Sequence, residues 1–225
     1  MQCIILAAGR GTRMGNLTDE TPKPMLPVSG LPILAHKINM LPESIEEIIL
    51  VVGYKKEVIT DYFGSEWNGR KISYAEQTEL NGTAGAIHLV KDMVRGKYLV
   101  TMGDDFYHPE DMEKLMQSPL SLLGYETNDA ASFGLVTVDE HNHLTRVVER
   151  PHGFSDGLVN TGAYVLSADF FAYEPVRISE TEFGLPQTLV LMSQDSPVKV
   201  EVTRRWLPIG NPDDLVSAER FLSSL

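Results

Sequence analysis

The amino-terminal segment constrains the fold of this chain more than any other part of the sequence. Residues 3–8 form an apolar run of strand length that leads directly into a loop containing Gly9, Gly11 and Gly15. Small residues let backbone amides approach a phosphate, and the two arginines of this loop carry fork-shaped, charged donors. The pattern therefore predicts a first strand followed by an anion-binding loop.

Two better-known phosphate loops do not fit this segment. A P-loop needs four residues between its glycines and a Lys-Ser/Thr pair after the second glycine. A dinucleotide-binding fingerprint needs glycine at position 14, where Met14 stands, and an acidic residue about twenty positions later. The loop is therefore of another kind, and a glycine-rich turn without a ligand is the alternative interpretation.

The loop and the segment after it resemble the signature of the sugar-1-phosphate nucleotidylyltransferases. Residues 6–14 read Leu-Ala-Ala-Gly-Arg-Gly-Thr-Arg-Met, and residues 21–24 read Thr-Pro-Lys-Pro. The resemblance extends to residue 215 and implies a Rossmann-like fold of the GT-A type. It also implies that Lys23 and Arg13 take part in catalysis, and that the nucleotide contacts Leu6, Ala7, Ala8, Gly9, Gly11, Thr12 and Arg13.

Strands and helices alternate through the first half of the chain. The spacing of apolar residues predicts helices over 32–41, 56–63 and 83–94, and strands over 47–52, 71–75 and 97–102. Because these strands are apolar throughout, they are expected to form a parallel sheet covered on both faces. Ligands bind at the carboxyl ends of such strands.

The second half predicts a mixed β region. Residues 130–138 and 144–148 flank a polar turn and predict a hairpin, followed by a strand over 159–166. A helix over 182–192, a strand over 198–202 and a closing helix over 212–222 complete the chain. We expect an α/β fold with a mostly parallel sheet, flanking helices and a mixed β insertion, in a single domain. Within it, residues 1–128 form the nucleotide-binding half and 129–225 the sugar-phosphate-binding half.

Polar residues follow several of the predicted strands. An amide such as that of Gln77 offers a donor and an acceptor to a nucleobase, and the resemblance assigns Gln77, Gly82 and Thr83 to the base-binding segment. It assigns Asp104 as the ligand of Mg²⁺, with Asp105 only its neighbour; hard cations of this kind take carboxylate oxygens and substrate phosphates. The resemblance further assigns the sugar to Gly134, Glu149 and Asn160.

One position departs from the family pattern. The segment from Trp206 to Leu215 follows the family's Trp-x-Asp-x-Gly-x-Pro-x-x-Leu, but its metal-binding aspartate is replaced by Pro208. Proline has no side-chain oxygen to bind an ion. Asn211, Asp213 and Asp214 are alternative ligands, and the ion can also rely on Asp104, phosphates and water.

Composition limits the partners of the chain. The formal net charge of −12 and the absence of a basic stripe argue against nucleic-acid binding. No apolar stretch is long enough for a membrane span, and Cys3 lies in an apolar strand, as buried inert thiols do. His141 and His143 lie in a polar turn without a third ligand, which favours exposed turn residues. We expect a cytoplasmic protein that contacts no membrane, and homo-oligomerisation is left open.

The resemblance implies transfer of a nucleotidyl group from a nucleoside triphosphate to a sugar 1-phosphate, giving a nucleotide-sugar and pyrophosphate with Mg²⁺ as cofactor. Two alternatives remain open. One is a cytidylyltransferase acting on a non-sugar phosphate such as phosphocholine. The other, motivated by Pro208, is a nucleotide-binding module without turnover.

Overall fold

Strands and helices alternate along most of the chain, as the sequence predicts. The computed structural model describes residues 1–225. Its strands are β1 (Gln2–Ala7), β2 (Pro27–Val28), β3 (Leu31–Pro32), β4 (Glu47–Val52), β5 (Glu66–Trp67), β6 (Arg70–Glu76), β7 (Lys97–Met102), β8 (Asp105–Tyr107), β9 (Ser121–Thr127), β10 (Gly134–Val138), β11 (Leu144–Glu149), β12 (Gly157–Ser167), β13 (Val176–Arg177), β14 (Phe183–Gly184), β15 (Lys199–Thr203) and β16 (Trp206–Pro208). Its α-helices are α1 (Ile33–Asn39), α2 (Lys56–Phe63), α3 (Gly82–His88), α4 (Pro109–Leu115), α5 (Leu185–Met192) and α6 (Asp214–Ser223).

A parallel core lies at the centre of a ten-stranded sheet. β1 pairs in parallel with β4 and β7, and β4 pairs in parallel with β6. Successive residues of β1 point to opposite faces: Cys3 and Ile5 belong to one buried cluster, and Ile4 belongs to the other. Both faces are therefore covered, which explains why the central strands are apolar throughout.

The flank of the sheet beyond β7 is the mixed β region. β12 runs antiparallel to β7, β9 and β10, and β15 joins the far side of β9 in parallel. The pairing of β12 with β9 shifts register between Asn160 and Tyr164, where Gly162 adopts a φ of +79°. This irregularity keeps the first part of β12 beside the carboxyl end of β7.

Close backbone approaches bring the carboxyl ends of the parallel strands together. The amide of Gly103, directly after β7, donates to the carbonyl oxygen of Leu6 over 2.8 Å. A Cβ atom at Gly103 would lie 2.9 Å from that oxygen, and one at Gly53, after β4, would lie 2.9 Å from the carbonyl oxygen of Ala8. Only glycine fits these two positions without displacing β1 or the residue that follows it.

Several predicted boundaries are wrong, and several elements were not predicted at all. The helix expected over 182–192 begins at Leu185, because Phe183 and Gly184 pair with Val176 and Arg177 as a short hairpin. Pro186 occupies the first turn of α5, where no amide hydrogen is needed. The helix expected over 83–94 ends at His88, and residues 130–133 precede the hairpin strand rather than belonging to it. The longest unpredicted elements are β9 and α4, and the short strands β2, β3, β5, β8, β13, β14 and β16 were not predicted either.

The expectation for Cys3 agrees with the structure, and that for the polar turn agrees in part. Cys3 is fully buried, and burial raises the pKa of its thiol to about 12. The polar turn at 139–143 joins β10 to β11 and leaves His141 exposed, whereas His143 is half-buried because its backbone pairs with Lys199. None of the helices combines the length and apolar character that crossing a bilayer demands.

Arg70 connects β6 to the carboxyl end of α1. Its guanidinium donates to the carbonyl oxygens of Ile38, Leu41 and Ile45 over 2.7, 2.8 and 3.0 Å. Helix ends leave carbonyl groups unpaired, so this one side chain satisfies acceptors that would otherwise lose their partner.

Replacing Arg70 should therefore destabilise the fold. We expect Arg70→Met to lower the free energy of unfolding by about 2–3 kcal/mol, since the carbonyls lose charged donors. Urea denaturation measures the effect, with Lys71→Met as the matched control, because Lys71 forms only an exposed pair with Glu47. Equal stability of the two variants would contradict this role.

Candidate active site

The loop after β1 is held in place by its neighbours in the fold. Gly11 has a φ of +74°, and a Cβ atom there would lie 2.6 Å from Cβ of Lys23. From the loop after β4, the amide of Tyr54 donates to the carbonyl oxygen of Ala8 over 3.0 Å. The Tyr54 hydroxyl lies 3.0 and 2.9 Å from the carbonyl oxygens of Thr18 and Asp19. These contacts anchor the loop at both of its ends.

A first cavity of about 310 Å³ opens between this loop and the start of α3. The predicted nucleotide-binding residues that line it are Leu6, Ala7, Ala8, Gly9, Gly11, Gln77, Gly82 and Thr83. Arg13 lies in a second cavity instead, and Thr12 lines neither. Residues distant in sequence therefore meet in one cleft.

Gln77 lies deep in the first cavity, with 7% of its surface exposed. Its Nε2 donates to Oδ1 of Asn81 over 3.0 Å and to the carbonyl oxygen of Gly82 over 3.2 Å. Asn81 packs against α3 where Gly85 leaves room, since a Cβ there would lie 1.9 Å from Oδ1 of Asn81. The amide orientation is thereby fixed, and Oε1 is the atom that Gln77 presents to a ligand.

A second cavity of about 700 Å³ adjoins the first and contains the three predicted sugar-binding residues, Gly134, Glu149 and Asn160. A Cβ at Gly134 would lie 3.0 Å from Oε1 of Glu149, so glycine makes room for this carboxylate. Asn160 is held by two contacts, from its Nδ2 to the Tyr164 hydroxyl (2.7 Å) and from the Gly162 amide to its Oδ1 (3.0 Å).

The two cavities meet at an ion pair between Lys23 and Asp104. Nζ of Lys23 lies 2.6 Å from Oδ2 of Asp104, and both residues line both cavities. The Lys23 side chain is 5% exposed and that of Asp104 is 34% exposed. A nearly buried ammonium group needs a counter-charge, and the carboxylate supplies it while remaining accessible to a ligand.

Behind Asp104 lies a buried polar group that the sequence interpretation missed. Lys37 from α1 donates to the carbonyl oxygen of Asp105 over 2.7 Å and lies over the Tyr107 ring. The Trp206 indole donates to Oδ2 of Asp105 over 3.1 Å. Burial lowers the pKa of Lys37, and burial with the nearby charge of Asp104 raises the pKa of Asp105. The adjacent aspartates 104 and 105 are visible as a motif in the sequence, but no local pattern links them to Lys37 of α1.

Pro208 lies opposite Asp105 in the pairing of β16 with β8 and lines the second cavity. Two of the alternative ligands, Asn211 and Asp214, line the same cavity, and Asp213 does not. Oδ1 of Asn211 accepts from the Asp213 amide over 2.9 Å. Oδ2 of Asp214 accepts from the amides of Gly210 and Asn211 over 2.7 and 2.9 Å, which leaves Oδ1 of Asp214 without a protein partner. These contacts form the turn beside Arg13.

The carboxylate of Asp104 fits a divalent cation in part. It is accessible and lies where the two cavities meet, and oxygen is the donor that Mg²⁺ prefers. No three His, Cys, Asp or Glu side chains converge in the chain. A cation here would therefore share Asp104 with substrate phosphates and water.

Comparison with protein families places the chain. Residues 2–224 match the family model described as Nucleotidyl transferase. The chain belongs to this family. The match confirms the relationship to nucleotidyltransferases that the segments at 6–14 and 21–24 predict.

Curated relatives agree with this assignment. The chain is 34% identical over 99% of its length to the bifunctional protein GlmU of Methanocaldococcus jannaschii, of which it spans 54%. It is 30% identical to the UTP--glucose-1-phosphate uridylyltransferase AglF of Haloferax volcanii, with 99% of this chain and 96% of that protein covered. It is 38% identical to a D-glycero-alpha-D-manno-heptose 1-phosphate guanylyltransferase of Campylobacter jejuni, covering 76% and 78% of the two chains. The chain thus spans about half the length of its GlmU relative.

A solved structure confirms the fold class. A Bacillus anthracis protein described as a glucose-1-phosphate thymidylyltransferase superposes with a TM-score of 0.86 at 22% identity, covering 100% of this chain and 96% of that one. The expected α/β domain, with a mostly parallel central sheet flanked by helices, is therefore correct.

The fixed amide of Gln77 gives a prediction about the base. We expect Gln77→Ala to reduce the ratio of affinities between the preferred nucleoside triphosphate and the others about ten- to a hundredfold. The reason is that a base edge left without a hydrogen-bond partner costs about 1–3 kcal/mol. Competition binding with each triphosphate measures the preference, and exposed Gln117→Ala is the control. An unchanged order of affinities would remove Gln77 from the base pocket.

Proposed function

We propose that this chain transfers a nucleotidyl group from a nucleoside triphosphate to a sugar 1-phosphate and releases pyrophosphate. One observation carries the proposal: two cavities of different character meet at Lys23 and Asp104. The first offers the anion-binding loop and Gln77 to a nucleotide. The second offers Glu149 and Asn160 to sugar hydroxyls. The names of the uridylyl- and guanylyltransferase relatives support the same reaction class.

In this reaction a phosphate oxygen of the sugar 1-phosphate attacks the α-phosphorus of the triphosphate. A phosphorus–oxygen bond forms, the bond to the β-phosphate breaks, and pyrophosphate leaves with the electron pair. The second pKa of a phosphate monoester is about 6, so the nucleophile is ionised at neutral pH without a general base. Catalysis then consists of positioning the phosphates and stabilising charge.

Four charged residues of the site, Lys23, Arg13, Asp104 and Glu149, have roles in this scheme. Lys23 holds the reacting phosphates from a nearly buried position, where its charge acts strongly. Arg13 and the amides after β1 bind the departing pyrophosphate. Asp104 would hold Mg²⁺, which, when bound, would neutralise negative charge on the phosphates. Glu149 and Asn160 orient the acceptor.

In this proposal residues 1–128 bind the nucleotide and residues 129–225 bind the sugar phosphate. The two halves share the cavities: Lys23 and Asp104 of the first half line both, and Glu182 of the second half lines the first as well as the second. A cytoplasmic location stays a prediction, and homo-oligomerisation stays open.

A second candidate function is transfer of a cytidylyl group to phosphocholine. The second cavity is lined by the rings of Phe133, Tyr164 and Trp206 together with carboxylates. Aromatic faces and negative charge favour a quaternary ammonium group. This candidate is the weaker one, because the rings do not form a closed cage around a cation. The Phe133 and Trp206 rings instead pack edge to face against each other, with their centroids 5.1 Å apart.

A substrate panel tests the proposal. The common nucleoside triphosphates are incubated with several sugar 1-phosphates and with phosphocholine, and pyrophosphate release is measured. Turnover with a sugar 1-phosphate supports the proposal, and turnover with phosphocholine alone favours the second candidate. Binding of a triphosphate without turnover of any acceptor would indicate the inactive module.

Asp104→Asn should reduce turnover at least about 10²-fold, as loss of one preorganised electrostatic group does. The variant removes a negative charge but keeps the size of the side chain. Turnover is measured at limiting and saturating Mg²⁺, with circular dichroism to confirm folding. Near wild-type activity at limiting Mg²⁺ would exclude Asp104 as the ligand.

Pro208→Asp should lower the Mg²⁺ concentration that gives half-maximal rate. In the variant, a second carboxylate would replace one water ligand of Mg²⁺. Because Mg²⁺ tolerates water in its octahedral shell, the wild type should be active, but it should need a higher Mg²⁺ concentration than the variant. Mg²⁺ titrations of both proteins measure the shift, and urea denaturation controls for the lost proline. Identical titrations would show that position 208 does not face the ion.

A further inference from the structure

One short segment contacts both cavities. Residues 182–187, here called the connecting segment, run from the turn after β13 into the first turn of α5. Glu182 lines both cavities. The amide of Phe183 donates to the carbonyl oxygen of Asn81 over 2.9 Å, and the amide of Leu185 donates to Oγ1 of Thr83 over 3.0 Å. The segment therefore lies directly on the loop that precedes α3.

The contact with this loop is close. A Cβ atom at Gly82 would lie 2.4 Å from the carbonyl oxygen of Phe183, so only glycine at position 82 lets the connecting segment approach. The loop, which also carries Asn81 against Gln77, is thus covered by residues about a hundred positions later in the chain. A ligand that holds the loop before α3 in one conformation therefore also limits the conformations of the connecting segment.

The far end of the segment holds the acceptor carboxylate. Nε2 of Gln187 donates to Oε1 of Glu149 over 3.0 Å. A flipped amide would turn Oε1 of Gln187 towards the carboxylate and place two acceptors together, so ionised Glu149 sets the amide orientation. One carboxylate oxygen is pinned, and Glu149, itself exposed, keeps its other oxygen for a ligand.

The other half of the Gln187 amide argues against a purely structural role. Its Oε1 is buried and has no hydrogen-bond partner. A Cβ atom at Gly184 would lie 1.8 Å from this oxygen. Glycine at position 184 therefore provides space for an oxygen that forms no hydrogen bond. A buried unpaired acceptor reduces stability, and an apolar side chain of similar size would avoid that cost.

We propose that Gln187 is a positioning residue that fixes Glu149 for the acceptor, and that the connecting segment couples nucleotide occupancy to acceptor binding. The inference rests on the proposed function, because it takes Glu149 as a sugar contact. A nucleotide that holds the loop at Asn81 to Thr83 also holds Phe183 and Leu185. α5 then presents Gln187 in one orientation, and the acceptor meets a preordered carboxylate. Such coupling is reciprocal between the two ligands.

Steady-state kinetics of Gln187→Leu test the positioning role. We expect KM for the sugar 1-phosphate that the wild type uses to rise about tenfold, as loss of a hydrogen bond to a charged group does. The affinity for the triphosphate alone should stay the same, and the melting temperature should be unchanged or higher. Gln194→Leu, exposed just after the same helix, is the matched control.

Binding titrations test the coupling. A non-hydrolysable triphosphate analogue should tighten wild-type binding of the sugar 1-phosphate at least about fivefold, and this factor should fall towards one in Gln187→Leu. An acceptor KM equal to that of Gln194→Leu would overturn the inference. So would a rise in KM for both substrates with a lower melting temperature, which would identify a purely structural residue. Absence of turnover in the wild type with every acceptor would overturn the proposed function first, and this inference with it.

Discussion

The ion pair between Lys23 and Asp104 is the interaction on which the site depends. The two residues come from segments 81 positions apart, and their approach to 2.6 Å requires β1 and β7 to lie side by side. Glycine is needed on both sides of the pair, because a Cβ at Gly11 would meet Lys23 and one at Gly103 would meet Leu6. A nearly buried lysine has no other acidic partner within ion-pair distance, so the carboxylate that faces the cavities also stabilises the loop beside them.

A second layer fixes the carboxylate from behind. Asp105 is held between Lys37, which contacts its backbone oxygen, and Trp206, which contacts its side chain. The pairing of β8 with β16 therefore ties the strand end that carries Asp104 to the closing segment of the chain. Pro208 fits this arrangement structurally, since an edge position of a short strand tolerates a residue without an amide hydrogen. The same pairing explains why replacing the family's aspartate need not disturb the rest of the site.

Local patterns predicted the parallel core, because short continuous apolar runs such as 47–52 and 97–102 are typical of strands that are buried on both faces of a sheet. They did not predict β9, whose sequence Ser-Leu-Leu-Gly-Tyr-Glu-Thr follows a turn and has no clear period. The start of α5 was placed three residues early, since only the pairing of β14 with β13 shows that residues 183–184 are extended. In the site, the family resemblance proposed Gln77 and Glu149, and both line the cavities. Gln187 and Lys37 were not proposed, because their partners lie 38 and 68 residues away and no local signal links them.

The proposed transfer occurs at the α-phosphorus of the triphosphate, where the two cavities meet at Lys23 and Asp104. The most direct test follows a radioactive label on the α-phosphate of the preferred triphosphate during turnover with a sugar 1-phosphate. We expect the label to appear in the nucleotide-sugar, unlabelled pyrophosphate to be released, and Lys23→Met to suppress both. Transfer of a γ-phosphate label to the sugar, or release of labelled inorganic phosphate without a nucleotide-sugar, would contradict nucleotidyl transfer.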